Sequence, residues 1–407
     1  MKNIEGGVTA PKGFAAASHA AGIKYAGRDD MALIYSDTLC EAAGVYTSNV
    51  VKAAPVLWDR QITESGEKVR AVVVNSGIAN ACTGEEGMNI CLKTAEAVAE
   101  VTGDKAENVL VGSTGVIGMQ INVDKITAGA KALLEKKGYS IEDGTSASKA
   151  IMTTDTHNKQ IAVTIEIDGV TCTIGAMCKG SGMIHPNMCT MLGYVCTDIA
   201  IEKSLLQKAL SEVVVDTFNM ISVDGDTSTN DTLLVLANGE AGNAKITKED
   251  ENYKIFKDAL FYICEYLAKQ MAGDGEGATA LFEAIVINAK TKDDARKLSK
   301  SIISSSLSKA AIYGHDANFG RFLCAMGYSG VMFDQNTVQL SFKSKAGEMM
   351  VFDMGTPLPF DEDEATKILS EDHVTVFVDM HEGEESATAW GCDLTYDYVK
   401  INADYRS

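Results

Sequence analysis

The chain has little proline, 5 in 407 residues, so Pro-rich linkers are absent. No run of about 18 apolar residues occurs, which argues against a transmembrane helix. The opening residues Met1 to Gly7 lack the charged-then-apolar form of a signal peptide, and a cytoplasmic location is expected. Basic residues are outnumbered, 36 Lys+Arg against 56 Asp+Glu. The net charge of −20 speaks against nucleic acid or an anionic membrane as a partner. Ten cysteines are present, but no two form a C-x-x-C pair, which weakens a zinc or redox-dithiol reading. Most are expected to be reduced, small buried hydrophobes.

Common catalytic signatures are missing as well. Gly112-Ser113-Thr114-Gly115-Val116-Ile117-Gly118 follows a strand, yet no Gly-Lys-Ser/Thr completes a Walker loop. Its glycine spacing is also wrong for a dinucleotide fingerprint. Neither a His-x-Glu zinc site nor a Gly-x-Ser-x-Gly elbow occurs, and no metal is expected. Internal repeats and low-complexity tracts are absent.

What remains is a globular composition, 46% hydrophobic and 23% charged. At about 150 residues per domain, the length suggests two to three domains. Strand-like and helix-like patterns alternate throughout. Strands are predicted at 71–75 and 108–111. A helix with Leu92, Ala95, Val98 and Ala99 on one face separates them, and another runs over 124–137, closed by Gly138. Residues 160–167 and 171–177 form a hairpin around Asp168-Gly169. Further helices are expected at 202–221, 252–272 and 291–312. Further strands are expected at 232–237, 283–288, 373–380 and 393–401. The polar stretch 240–251 reads as a surface loop between halves. The mixture implies layered α/β or α+β packing.

Four segments have the residues for chemistry. Lys179 to Gly193 is a Gly-rich loop entering an apolar run at Thr190. A hydroxyl there is placed for nucleophilic attack, although by spacing alone a capping Thr is the commoner case. The 112–118 loop can turn backbone N–H groups toward an anion or oxyanion, or be an ordinary tight turn. Met271 to Thr279 places Asp274 and Glu276 in a Gly-rich loop after a helix. That suits an ammonium or a metal, or simply solvated acids at a helix end; too few ligand positions exist for an EF-hand. Ser222 to Asp231 is a second acidic loop, which could line a site or bind a cation but is more often structural.

Taken together these segments resemble one family, the ornithine acetyltransferases, also called glutamate N-acetyltransferases, of the cyclic arginine pathway. The similarity runs nearly end to end. It covers Gly7 to Phe14, Asn75 to Gly84, Met152-Thr153-Thr154-Asp155-Thr156, Lys179 to Gly193, Gly273 to Thr279 and Tyr396 to Arg406. The resemblance implies a self-processing Thr-nucleophile fold of the ornithine acetyltransferase and aminopeptidase type. It implies cleavage between Cys189 and Thr190, giving chains 1–189 and 190–407. The freed Thr190 would then use its own α-amine as base, the nucleophile of a ping-pong transfer of acetyl from N2-acetylornithine to glutamate. Such an amine titrates near pH 7.7–8.0 when unperturbed, close to neutral working pH.

By correspondence, the Thr114 hydroxyl and Gly115 N–H form the oxyanion hole. Thr153, Lys179, Thr190, Glu276, Asn402 and Ser407 bind substrate. Lys179 suits the substrate α-carboxylate, and Glu276 the side-chain ammonium. Cys189 stands where the family has Ala, Ser407 where Thr is usual, and Asp316-Ala317-Asn318-Phe319-Gly320-Arg321 varies an Asp-Pro-Asn-Trp-Gly-Arg pattern. None of these changes removes a needed group. No cofactor is implied. Acetyl-CoA would be a co-substrate if the enzyme is bifunctional, and an α2β2 or larger assembly is expected. Two other classes compete: a Thr-nucleophile amidase or aminopeptidase, in which water takes the acyl group, and a binding protein that kept the fold.

Overall fold

The computed structural model describes residues 1–185 and 191–404. The chain divides into two compact units. The first comprises Met1–Gly180, Pro186–Asn219 and Thr227–Leu267, and the second Ser181–His185, Met220–Asp226 and Ala268–Ser407.

The first unit is built in chain order from β1 (Lys2–Ile4), β2 (Phe14–His19), β3 (Met31–Tyr46), α1 (Ala54–Ser65), β4 (Val69–Asn75), α2 (Gly84–Thr102) and β5 (Val109–Ser113). Then come α3 (Val123–Lys136), α4 (Ile141–Ala150), β6 (Lys159–Ile167), β7 (Val170–Lys179), β8 (Leu192–Thr197) and α5 (Lys203–Val213). After β9 (Ile221–Ser222), which belongs to the second unit, it resumes with β10 (Thr232–Ala237) and most of α6 (Glu251–Gly273). Among the described residues the strands run β1-β6-β7-β8-β10-β3-β4-β5, with β2 also on β3.

The 16-residue β3 is the pivot. Residues Met31–Tyr35 pair with β4, a bulge follows, and Glu41–Tyr46 pair with β10. The sheet therefore has two arms, and their facing side chains share one core. Ala32, Ile34, Val72, Val74 and Leu110 from one arm meet Met177, Leu192, Tyr194, Cys196 and Leu234 from the other. The alternate residues Met31, Leu33, Ala71 and Val73 point outward into a second core with Ile90 and Val98 of α2 and Leu133 of α3. Both faces of β4 are thus buried, which is why Ala71-Val72-Val73-Val74 reads as an unbroken apolar run.

The second unit adds β11 (Leu281–Ala289), α7 (Lys292–Ser304), α8 (Ser306–Tyr313), α9 (Phe319–Gly327), β12 (Gln339–Ser344) and β13 (Gly347–Asp353). It continues with β14 (Thr356–Pro357), α10 (Glu362–Leu369), β15 (His373–Asp379), β16 (Glu385–Cys392) and α11 (Tyr396–Ala403). Its sheet order is β14-β13-β12-β15-β11-β16-β9. Phe322 of α9 makes edge contacts with Phe282 of β11 and Phe342 of β12, which ties this helix to the sheet.

The α/β expectation holds. The hairpin is β6–β7, with Asp168 and Gly169 at φ 50° and 79°, as a primed two-residue turn requires. Five local readings need correction. The strand expected at 393–401 is α11; β16 ends at Cys392 because the Asp393 carboxylate accepts from Thr279 N, Thr279 Oγ1 and Ala280 N. The helix expected at 202–221 stops at Val213. A run of valines follows, and the Thr217 hydroxyl bonds the Val213 carbonyl. The helix at 291–312 is two helices, divided at Ser305, whose side chain caps α8 through Ser308 N. Gly138 is no left-handed cap after α3; its backbone pairs with Ala16. Finally, residues 240–250 link β10 to α6 inside the first unit.

Candidate active site

In the first unit, β4 and β5 lie parallel and the loops that leave them run side by side. Val116 N donates to the Gly77 carbonyl at 3.1 Å, and Ala79 N to the Val116 carbonyl at 2.9 Å. Asn230 clamps both loops, giving its amide to the carbonyls of Ser113 (2.8 Å) and Ala79 (2.6 Å). Between them sits Gly115 at φ 129°, where a Cβ would lie 2.2 Å from the Gly77 carbonyl carbon. Only glycine fits that close approach. Gly115 N–H meets no acceptor among the described residues. Thr114, nearly buried, has its own N–H on the Asn75 carbonyl, which leaves its hydroxyl for side-chain contacts.

Lys179, the last residue of β7, reaches that hydroxyl. Its Nζ donates to Thr114 Oγ1 at 3.1 Å and to Thr153 Oγ1 at 2.8 Å. A hydroxyl that accepts from an ammonium turns its own proton outward, where it can donate to something else. Three residues singled out from sequence, Thr114, Thr153 and Lys179, are thus brought together from positions 65 and 26 residues apart.

Behind them lies Asp155. Its Oδ1 accepts from Lys159 Nζ (2.8 Å) and Gly180 N (2.7 Å), and its Oδ2 from Thr153 N (3.1 Å). Burial would raise its pKa, but the charges of Lys179 and Lys159 and the hydrogen bonds win, holding it at about 2.

The second unit assembles another group. The Ser181 hydroxyl donates to the Asp274 carbonyl, and Glu276 N to the Ser181 carbonyl. This lays Gly182 on the Glu276 carboxyl, which a Cβ there would meet at 2.4 Å. Asn402 of α11 donates to Glu276 Oε2 at 2.7 Å. Asp224, from the acidic 222–231 loop, accepts from Met183 N and Ile184 N, and so works as a structural acceptor for the turn. Burial raises its pKa despite these bonds. His185 lies 3.0 Å from the Ser222 hydroxyl, and burial with the nearby Lys300 charge pushes its pKa down to about 4.

Thr190, Cys189 and Ser407 lie outside the described residues. Among the described residues no cluster of His, Cys, Asp and Glu is suited to a metal, and no helix is long and apolar enough to cross a membrane. Sequence reasoning took Thr153 from the Met152–Thr156 motif but passed over Asp155, Lys159 and Asn230. A lone Asp four residues before a Lys was the available signal for the first two; nothing local marked Asn230.

Residues 15–407 match the ArgJ family. The chain is 53% identical, over the full length of both, to the arginine biosynthesis bifunctional protein ArgJ of Symbiobacterium thermophilum. The chain belongs to the ArgJ family. Solved structures of relatives are also similar. One is arginine biosynthesis bifunctional protein ArgJ of Bacillus halodurans, 46% identical, TM-score 0.49, covering 52% of this chain and 97% of that one. Another is the ornithine acetyltransferase of Mycobacterium tuberculosis complexed with ornithine, 44% identical, TM-score 0.41, covering 46% of this chain and 96% of that one.

Proposed function

We propose that this ArgJ-family chain transfers acetyl from N2-acetylornithine to glutamate through an acetyl-Thr190 intermediate, after cutting itself between Cys189 and Thr190. The observation that carries the reading is the Lys179 ammonium held on the hydroxyls of Thr114 and Thr153. A cation beside outward-turned O–H donors suits a substrate bearing a carboxylate and a carbonyl that becomes an oxyanion.

In this scheme Thr190 Oγ attacks the acetyl carbonyl while its α-amine takes the hydroxyl proton. The negative oxygen of the tetrahedral adduct is met by the Thr114 hydroxyl and Gly115 N–H. Collapse breaks the C–N bond; the α-amine returns the proton to the leaving amine, and ornithine departs. Glutamate's amine then attacks the acetyl ester, releasing N-acetylglutamate and restoring Thr190. Lys179 and Thr153 hold the α-carboxylate. Glu276, with Asn402 and Ser407, takes the remaining polar groups. Self-cleavage uses the same hydroxyl: Thr190 Oγ attacks the Cys189 carbonyl, the amide becomes an ester, and water opens it. The products are chains 1–189 and 190–407, assembled as α2β2 or larger in the cytoplasm.

Denaturing mass spectrometry of wild type is expected to show chains of 189 and 218 residues, and Thr190→Ala one uncut, inactive chain. Uncut wild type with full activity defeats the mechanism. A second reading, that acetyl-CoA also donates to glutamate, is favoured by the word "bifunctional" in the relatives' names. N-acetylglutamate formed from acetyl-CoA and glutamate alone is its test. Ornithine release that ignores glutamate would point instead to an amidase.

A further inference from the structure

Asp155 is the only carboxylate bonded to both segments that carry the Lys179–Thr153 contact, among the described residues. One oxygen takes the N–H of Thr153; the other takes the N–H of Gly180, the residue directly after Lys179. The same carboxylate therefore fixes both backbones whose side chains then meet at 2.8 Å. We propose that Asp155 is the positioning residue that sets Lys179 and Thr153 at the spacing a substrate carboxylate needs. This rests on the acetyl-transfer reading above.

Charge supports it. Two lysines share the surroundings of one aspartate, and Lys159, essentially fully buried, lies 2.8 Å from Oδ1. Both ammoniums favour the ionised carboxylate, Lys159 also through a direct bond, while Lys179 Nζ donates to the hydroxyls of Thr114 and Thr153. The depressed pKa of Asp155 agrees with a carboxylate that stays ionised throughout the working range.

Asp155 acts through the backbones that carry Thr153 and Lys179, so its loss should be read in binding. Asp155→Asn alone would remove the carboxylate beside the buried Lys159 ammonium and threaten folding. The double variant Asp155→Asn/Lys159→Met removes both charges, and Asp155→Glu keeps the pair while moving the carboxylate by one methylene. KM for N2-acetylornithine, kcat and melting temperature are measured on both, beside wild type and Thr190→Ala. The expected result is near-wild-type melting with KM raised roughly ten- to hundredfold, the size of a lost charge-assisted hydrogen bond. A folded variant with wild-type KM, or one in which only kcat falls, overturns the role of Asp155. Activity in Thr190→Ala would instead sink the acetyl-transfer reading, so the two failures are distinguishable.

Discussion

Gly115 carries two demands at one Cα. Its φ of 129° lies where side chains are strained, and a Cβ would press on the Gly77 backbone, itself at φ 99°. No flexible side chain is there to yield, so relief must come from moving the loop. Moving the loop moves the Thr114 hydroxyl and the Gly115 N–H together. Gly115→Ala is therefore expected to lower kcat by at least the ~10²–10³ typical of one lost oxyanion donor. Circular dichroism should still show a folded protein, because the strain is confined to the turn between β5 and α3. Normal kcat in that variant would remove this loop from the chemistry. The same chain places reactivity elsewhere under tight control. Burial pushes the thiol of Cys40 up to about 12 and raises those of Cys91, Cys196 and Cys264. These cysteines pack as hydrophobes, as their lack of C-x-x-C spacing suggested.

At the scale of elements, short polar residues decide where structure stops. Ser305 ends α7 and caps α8 within one residue, so a sequence with helical spacing from Leu298 to Leu307 still breaks. Ser305→Ala should cost about 1 kcal/mol by the loss of that cap, seen as a lower denaturant midpoint with unchanged slope. The break was not readable from hydrophobic spacing, because Leu298, Ile302 and Ile303 carry the α7 face right up to it. Likewise Tyr396, Tyr398, Val399 and Ile401 have strand-like composition, yet Tyr396 and Val399 are exposed and α11 forms. What was legible was local: the β6–β7 turn, the buried runs of β4 and β10, the long α6. The 16-residue β3 went unseen, since its pattern changes partner and face at the bulge. The family resemblance named candidate site residues one by one, but not their wiring. Contacts such as Asn402 with Glu276 join positions 126 residues apart, which no periodicity reports.

At the scale of the whole chain, the proposed cut does not follow the compact units. Strand β8 begins at Leu192 and pairs on one side with β7, on the other with β10. The strand before it in sequence would belong to one product, and the strand after it to the other. Six β8 residues face β7 in continuous register, from Ile174↔Thr197 to Lys179↔Leu192. Their side chains are buried throughout. The cut protein should therefore elute as one species in native size-exclusion chromatography and part into two chains only in guanidinium. Separation under native conditions would contradict that register's importance.

With the proposed cut, the interior position of β8 would also give the protein a history. A precursor can lay this strand into the sheet while β7 and β8 are still tethered, so pairing is intramolecular and its closure entropy is small. Were the tether severed as proposed, the same pairing would become an encounter between two molecules, dependent on concentration and exposed to aggregation. Mature material unfolded in denaturant would then recover far less readily than uncut Thr190→Ala. Its persistence would be set by how slowly it opens rather than by an equilibrium it can revisit.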